Sequence, residues 1–152
     1  MRTFGILMFA AIVWVSNANA QTITECGDSE GYAYYFAGGV VPQQEAGMRK
    51  DAVTGGRIII LNFENNEVDL ILKGATGSTV STKRQGGKIV VLPSGKGIIA
   101  LSVFFDGGST VETYIFQLDK GGNGTVVYTR MVSTEMMSKQ SLMQSHCAGP
   151  RR

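Results

Sequence analysis

From Arg57 onwards the apolar residues fall into short runs, and each run ends within a few residues at a cluster of Gly, Asn, Asp or Ser. Arg57-Ile-Ile-Ile-Leu-Asn-Phe63 is followed by Glu64-Asn65-Asn66, and Glu67-Val-Asp-Leu-Ile-Leu-Lys73 then places Val68, Leu70 and Leu72 on one side of an extended chain. A polar strand over residues 78–83, Lys88-Ile-Val-Val-Leu92, Ile98-Ile-Ala-Leu-Ser-Val-Phe-Phe105, residues 110–118 and residues 125–132 continue the series. β-branched and aromatic runs separated by glycine-bearing turns are strands joined by hairpins. Parallel pairing would need a crossover of about a dozen residues or more between neighbours, and none fits. The chain is therefore expected to be an all-β antiparallel meander.

Gly31-Tyr-Ala-Tyr-Tyr-Phe36 reads as an opening strand, giving about eight strands in all. Residues 37–56 contain Pro42 and many polar side chains and read as a long loop around an extended Val40-Val41. Residues 133–146 read as an extended tail that carries Cys147 back to the first strand; the alternative is a short helix with Met136, Met137 and Met143 on its apolar side. A meander with alternating faces must bury one of them, so the expected architecture is a closed or nearly closed barrel or a two-layer sandwich. The 20 glycines among 152 residues, well above the usual share of about 7%, are the turn inventory of such a chain.

The first 20 residues are of a different kind. Arg2 precedes an apolar run ending at Val15, followed by Ser16-Asn17 and Ala18-Asn19-Ala20, the pattern of a secretory signal peptide cleaved after Ala20. The expected mature chain is one β domain over residues 21–152, periplasmic or secreted. It contains no further run of the ~20 apolar residues needed to span a bilayer. Trp14, the only tryptophan, leaves with the signal. Export to an oxidising compartment makes a Cys26–Cys147 disulfide the natural state of the two cysteines. With 13 basic and 12 acidic residues scattered over residues 21–152, nothing marks a nucleic-acid or anionic-membrane surface.

Cys26-Gly-Asp-Ser-Glu-Gly-Tyr-Ala-Tyr-Tyr-Phe36, Glu112-Thr-Tyr-Ile-Phe116 and Lys139-x-Ser-Leu-Met-x-x-x-Cys147 together resemble a group of small exported bacterial all-β proteins. The resemblance implies an exported setting and carries over no activity, ligand or catalytic residue.

Chemistry is sparsely provided for. A Ser/His/Asp triad would need His146, the only imidazole, and Gly27-Asp28-Ser29-Glu30-Gly31 offers a G-x-S-x-G match. A nucleophile elbow joins a strand to a helix, whereas this match precedes a strand-like aromatic run and reads as a turn. Gly27-Asp28-Ser29 also resembles the nucleophile block of an α/β esterase family, but Met143 stands where that family has its Asp. Asp28 with Glu30, or Asp106 with Glu112, could serve as a carboxylate pair, and Tyr32, Tyr34, Tyr35 and Tyr128 could stack on a sugar. Residues 119–124 match a calcium loop only superficially, since Gly121 and Arg130 stand at ligand positions. Gly95-Lys96-Gly97 lacks the Ser/Thr of a phosphate loop, and no cofactor or metal is expected.

The expected function is therefore a non-catalytic exported domain that binds a partner protein or envelope component. Tyr32, Tyr34, Tyr35, Asp28 and Glu30 are the candidate surface contacts, with residues 37–56 beside them. A carrier of a small apolar ligand in a barrel cavity is the alternative, and a hydrolase using Ser29 and His146 or a carboxylate pair is a third reading.

Overall fold

The computed structural model describes residues 21–62, 67–73, 77–105 and 109–150. Ten antiparallel strands follow in chain order: β1 (Gln21–Tyr35), β2 (Gly47–Val53), β3 (Arg57–Asn62), β4 (Val68–Lys73), β5 (Thr79–Ser81), β6 (Gly87–Leu92), β7 (Ile98–Phe105), β8 (Thr110–Leu118), β9 (Gly124–Ser133) and β10 (Ser138–Ala148). They form one sheet in the order β5-β4-β3-β1-β10-β9-β8-β7-β6, with β2 also paired to β1.

That order forces the sheet to bend. β5 and β6 stand at opposite ends of a nine-strand row, which laid flat would separate them by about 38 Å at ~4.8 Å per strand. Only residues 82–86 connect them, a reach of about 20 Å fully extended. The sheet is accordingly curled into a half-barrel. Two backbone bonds hold the corner where its ends converge, Gly87 N–H to Thr82 O at 2.8 Å and Thr82 N–H to Leu70 O at 2.9 Å.

The first and last strands meet in the middle of the row. Cys26 lies directly opposite Cys147 and is disulfide-bonded to it across 121 residues of chain. From Cys26 to Ser29 β1 advances three residues while β10 retreats only two, from Cys147 to Ser145, so a bulge sits beside the disulfide. On its other side β1 pairs with β3 over its first part and β2 over its last. The Asp28 carboxylate accepts the Gly55 N–H at 2.7 Å in the break between β2 and β3. At Gly31 the seam is so close that a Cβ would overlap the Leu142 carbonyl oxygen.

Inside the curl, Ile58, Ile60 and Leu70 of β3 and β4 belong to one buried cluster with Leu101, Val103, Tyr114, Phe116 and Val126 of β7 to β9. The two arms of the sheet therefore pack on each other and share one core inside the curl.

Two expectations are corrected and a third is sharpened. Residues 37–56 are more than a loop: they hold a 3-10 turn, Gln43–Glu45, and β2, which is polar because it is an edge strand whose pairing comes from β1. The segment from Gly27 to Gly31 is not a turn; it lies within β1, which starts at Gln21, and its glycines serve the bulge and the close seam. The extended reading of the C-terminal segment holds, but as a central strand, β10, with Ser141, Met143, Ser145 and Cys147 buried and alternate residues exposed. Small inward side chains, rather than apolar ones, made its period hard to see. The expected turns at 64–66 and 106–108, and the signal segment, lie outside the described residues.

Breaking the clamp by Cys26→Ser with Cys147→Ser is expected to lower unfolding free energy by about 2–5 kcal/mol, the usual effect of deleting a disulfide that closes a loop of this size. Denaturant titration of the oxidised parent and the variant measures it. Gly31→Ala is expected to destabilise by about 1–3 kcal/mol, because the seam backbone must move apart to admit one methyl group; the contrast is Gly27→Ala, where a Cβ meets nothing within 4 Å.

Candidate functional site

Strand register sorts the side chains around the seam into two faces. Inward from β1, β2, β8, β9 and β10 point Tyr35, Arg49, Asp51, Glu112, Tyr114, Tyr128, Arg130 and Lys139. Gly31, Ala33 and Ser141 share that face and leave room for the longer side chains.

Glu112 organises this inner group. Its carboxylate is only 2% exposed, which would be prohibitive if it stood unpaired. The Arg130 Nε approaches Oε1 at 2.9 Å and the Tyr114 hydroxyl donates to Oε2 at 2.7 Å, so both oxygens are engaged. Tyr114 stacks on Tyr128 with ring centroids 5.3 Å apart. Burial, reinforced by the Glu112 charge and hydrogen bond, pushes the Tyr114 phenol well above its ordinary 10.0. Burial also raises Tyr128, against the influence of the neighbouring Ser29 side chain and the Arg130 charge. At the rim, Lys139 Nζ donates to Asp51 at 2.8 Å and lies 5.2 Å from the centre of the Tyr35 ring. Burial works against the Lys139 ammonium, yet the hydrogen bond and charge of Asp51 outweigh it and raise its pKa. These ionic partners satisfy one another.

The outer face is built on opposite lines. On β7 to β10 its residues include Ala100, Ser102, Phe104, Thr113, Ile115, Val127, Thr129, Met131, Leu142 and Gln144, and none is Asp, Glu, Lys or Arg. At the β1 edge of this neutral wall stand Tyr32, Tyr34 and Phe36, with Met48 opposite Tyr34 on β2, all exposed. Tyr34 and Phe36 meet edge to face at 4.9 Å. Next to them opens a hollow of about 580 Å³, lined by Glu30, Tyr32, Lys50, Val127, Leu142 and Gln144. Tyr32 and Leu142 lie opposite each other across the seam and remain 52% and 55% exposed. An apolar floor with one cation and one anion at its margin, beside an aromatic cluster, has the composition of a docking surface.

The candidate contacts separate accordingly. Tyr32, Tyr34 and Glu30 are on the outer face at or beside the hollow. Tyr35 points inward beneath Lys139 and Arg49, and Asp28 holds the β2–β3 break. Ser29 is buried facing inward, while His146 is exposed and points outward, so the disulfide brings their backbones together without bringing hydroxyl to imidazole. Asp106 lies outside the described residues. The Asp119 carboxylate binds its own loop, accepting from Asn123 N at 2.9 Å and Gly121 N at 2.8 Å, and these bonds, those from Asn123 above all, lower its pKa. Among the described residues no group of three or more His, Cys, Asp or Glu could hold a metal.

Sequence reading missed Phe36, Met48, Lys50 and Leu142. The common parity of Tyr32, Tyr34 and Phe36 was a usable signal for one shared face. Lys50 and Leu142 join only through pairing over long sequence separations. No protein-family model matches the chain, and neither a curated protein nor a solved structure matches it.

The Tyr114–Glu112 bond gives a pH test. Tyr114 is protonated more firmly folded than unfolded, so its share of stability is complete below its ordinary 10.0 and is lost as pH rises through the elevated folded value. Tyr114→Phe is expected to lose about 1–3 kcal/mol at neutral pH, leaving one Glu112 oxygen unsatisfied, and to show a shallower fall in stability above pH 10.0 than the parent. Denaturant titration at pH 7 and across the alkaline range reads both effects.

Proposed function

We propose that this is an exported, non-catalytic binding domain that docks a protein partner on the outer face beside β1. The observation that carries the reading is the meeting of Tyr32, Tyr34, Phe36 and Met48 with the Leu142-floored hollow on an uncharged wall. Aromatic and methionine side chains are the ones enriched at interface centres, and Glu30 and Lys50 would supply the polar margin. Export is supported by the N-terminal apolar segment and by a disulfide that an oxidising compartment would maintain. The carrier alternative has less support, since Phe116, Leu101, Ile60 and Leu70 are buried together in the core and the two hollows lined by described residues are open surface features. A Ser29 hydrolase is disfavoured by the opposite facing of Ser29 and His146.

A photo-reactive phenylalanine analogue at Tyr34 in the producing cell is expected to yield one discrete protein adduct. Tyr32→Ser with Leu142→Ser should abolish that adduct while leaving the melting temperature within a few degrees of the parent. An adduct that survives the double substitution, or a small apolar molecule retained in the native mass spectrum of the purified protein, would overturn the reading.

A further inference from the structure

Of the three open edges among the described strands, two are guarded. β2 carries Arg49, Lys50 and Asp51, and β5 is only three residues long. β6 is different: it ends the row, and residues 89–92 are Ile-Val-Val-Leu with no charge among them. Its outer-facing Val90 and Leu92 are exposed, and Val91, which faces inward, is still 53% exposed because no described strand lies beyond it. Apart from Gly87 N–H, which reaches Thr82, no described strand takes up the backbone groups on this edge. An apolar strand with an open ladder is a template for another chain.

We propose that β6 pairs antiparallel with β6 of a second copy, joining two half-barrels edge to edge about a twofold axis through Val90. The register follows from two constraints. Inner and outer faces must each continue across the axis, so directly paired residues must share parity. Proline, which cannot donate to a ladder, must stay outside. Centring on Val90 sets Ile89 against Val91 and Lys88 against Leu92 of the second copy, and leaves Pro93 beyond the paired Lys88–Leu92 stretch at both ends. Centring on Val91 brings Pro93 into the ladder, and centring on Ile89 leaves Leu92 unpaired. The two Lys88 side chains then start about 14 Å apart along the strands, farther than the ~8 Å screening length at physiological salt, so Lys88 does not oppose the pairing. Edge pairing also suits the curvature, since two convex walls laid face to face would touch only along a narrow strip. A foreign strand could use the same backbone groups; a second copy matches both the face pattern and the neutrality of this segment. The β6 edge lies at the far end of the strand row from the β2 edge and does not include the docking corner beside β1.

The test is sedimentation over a concentration series with the parent, Val90→Lys, Val90→Glu and an equimolar mixture of the two variants, each checked by melting for an intact fold. The parent is expected to form a reversible dimer. Each single variant, placing like charges opposite each other at the axis, should be monomeric, and the mixture should recover a dimer of one copy of each. Leu142→Lys on the β10 outer face should dimerise as the parent does. A parent that stays monomeric throughout, a dimer that persists in Val90→Lys, a mixture that stays monomeric, or loss of the dimer in Leu142→Lys would each overturn the proposal.

Discussion

Everything in this fold depends on the seam where β1 pairs with β10. It places the two ends of the described chain side by side at the centre of the sheet, and the Cys26–Cys147 bond fastens them there. The two arms, β2 to β5 on one side and β6 to β9 on the other, extend away from the seam and must meet again because five residues join β5 to β6. A nine-strand row fastened at its middle and tethered at its ends has to curl. The core lies inside that curl, so the clamp, the short connection and the hydrophobic cluster express one geometric constraint.

Curling divides the ionic and the apolar in an unusual way. On the β8–β10 arm the charges Glu112, Arg130 and Lys139 point inward at one end of the core, and the outer face of the same strands is neutral. Inward charges are tolerable because they are matched: Glu112 has Arg130 and Tyr114, and Lys139 has Asp51. Such pairs add little net stability relative to an apolar packing, but removing one partner leaves a desolvated charge behind. The outer face is left without the charges that ordinarily discourage contact, which is why its aromatic corner and its unguarded β6 edge stand out.

Strands with a clean signal were legible from the amino acids. β3, β4 and β6 to β9 combine β-branched or aromatic runs with glycine-bearing turns, and they lie where that pattern puts them. β2 was not legible, and of β10 only the extended conformation and its return to β1 were. β2 is a polar edge strand made extended by its partner. β10 is central, but it buries Ser141 and Ser145 because the seam is too close for larger side chains, as Gly31 opposite Met143 also requires. Of the site, the alternation of Tyr32, Tyr34 and Phe36 was visible. The hollow was not, since Lys50 and Leu142 reach Tyr32 only through β2 and β10.

By itself the sequence determined an all-β antiparallel chain, because its strands are too closely spaced for crossovers, and it determined which two cysteines can pair, because there are only two. The tertiary structure decided that the sheet is a curled half-barrel, that Ser29 and His146 face opposite ways, and that an apolar corner and an open strand edge lie on the surface. Those outcomes depend on register and on contacts between residues more than a hundred positions apart. A one-residue change in pairing turns every side chain of a strand to the other face, and no local pattern records which register the seam selects.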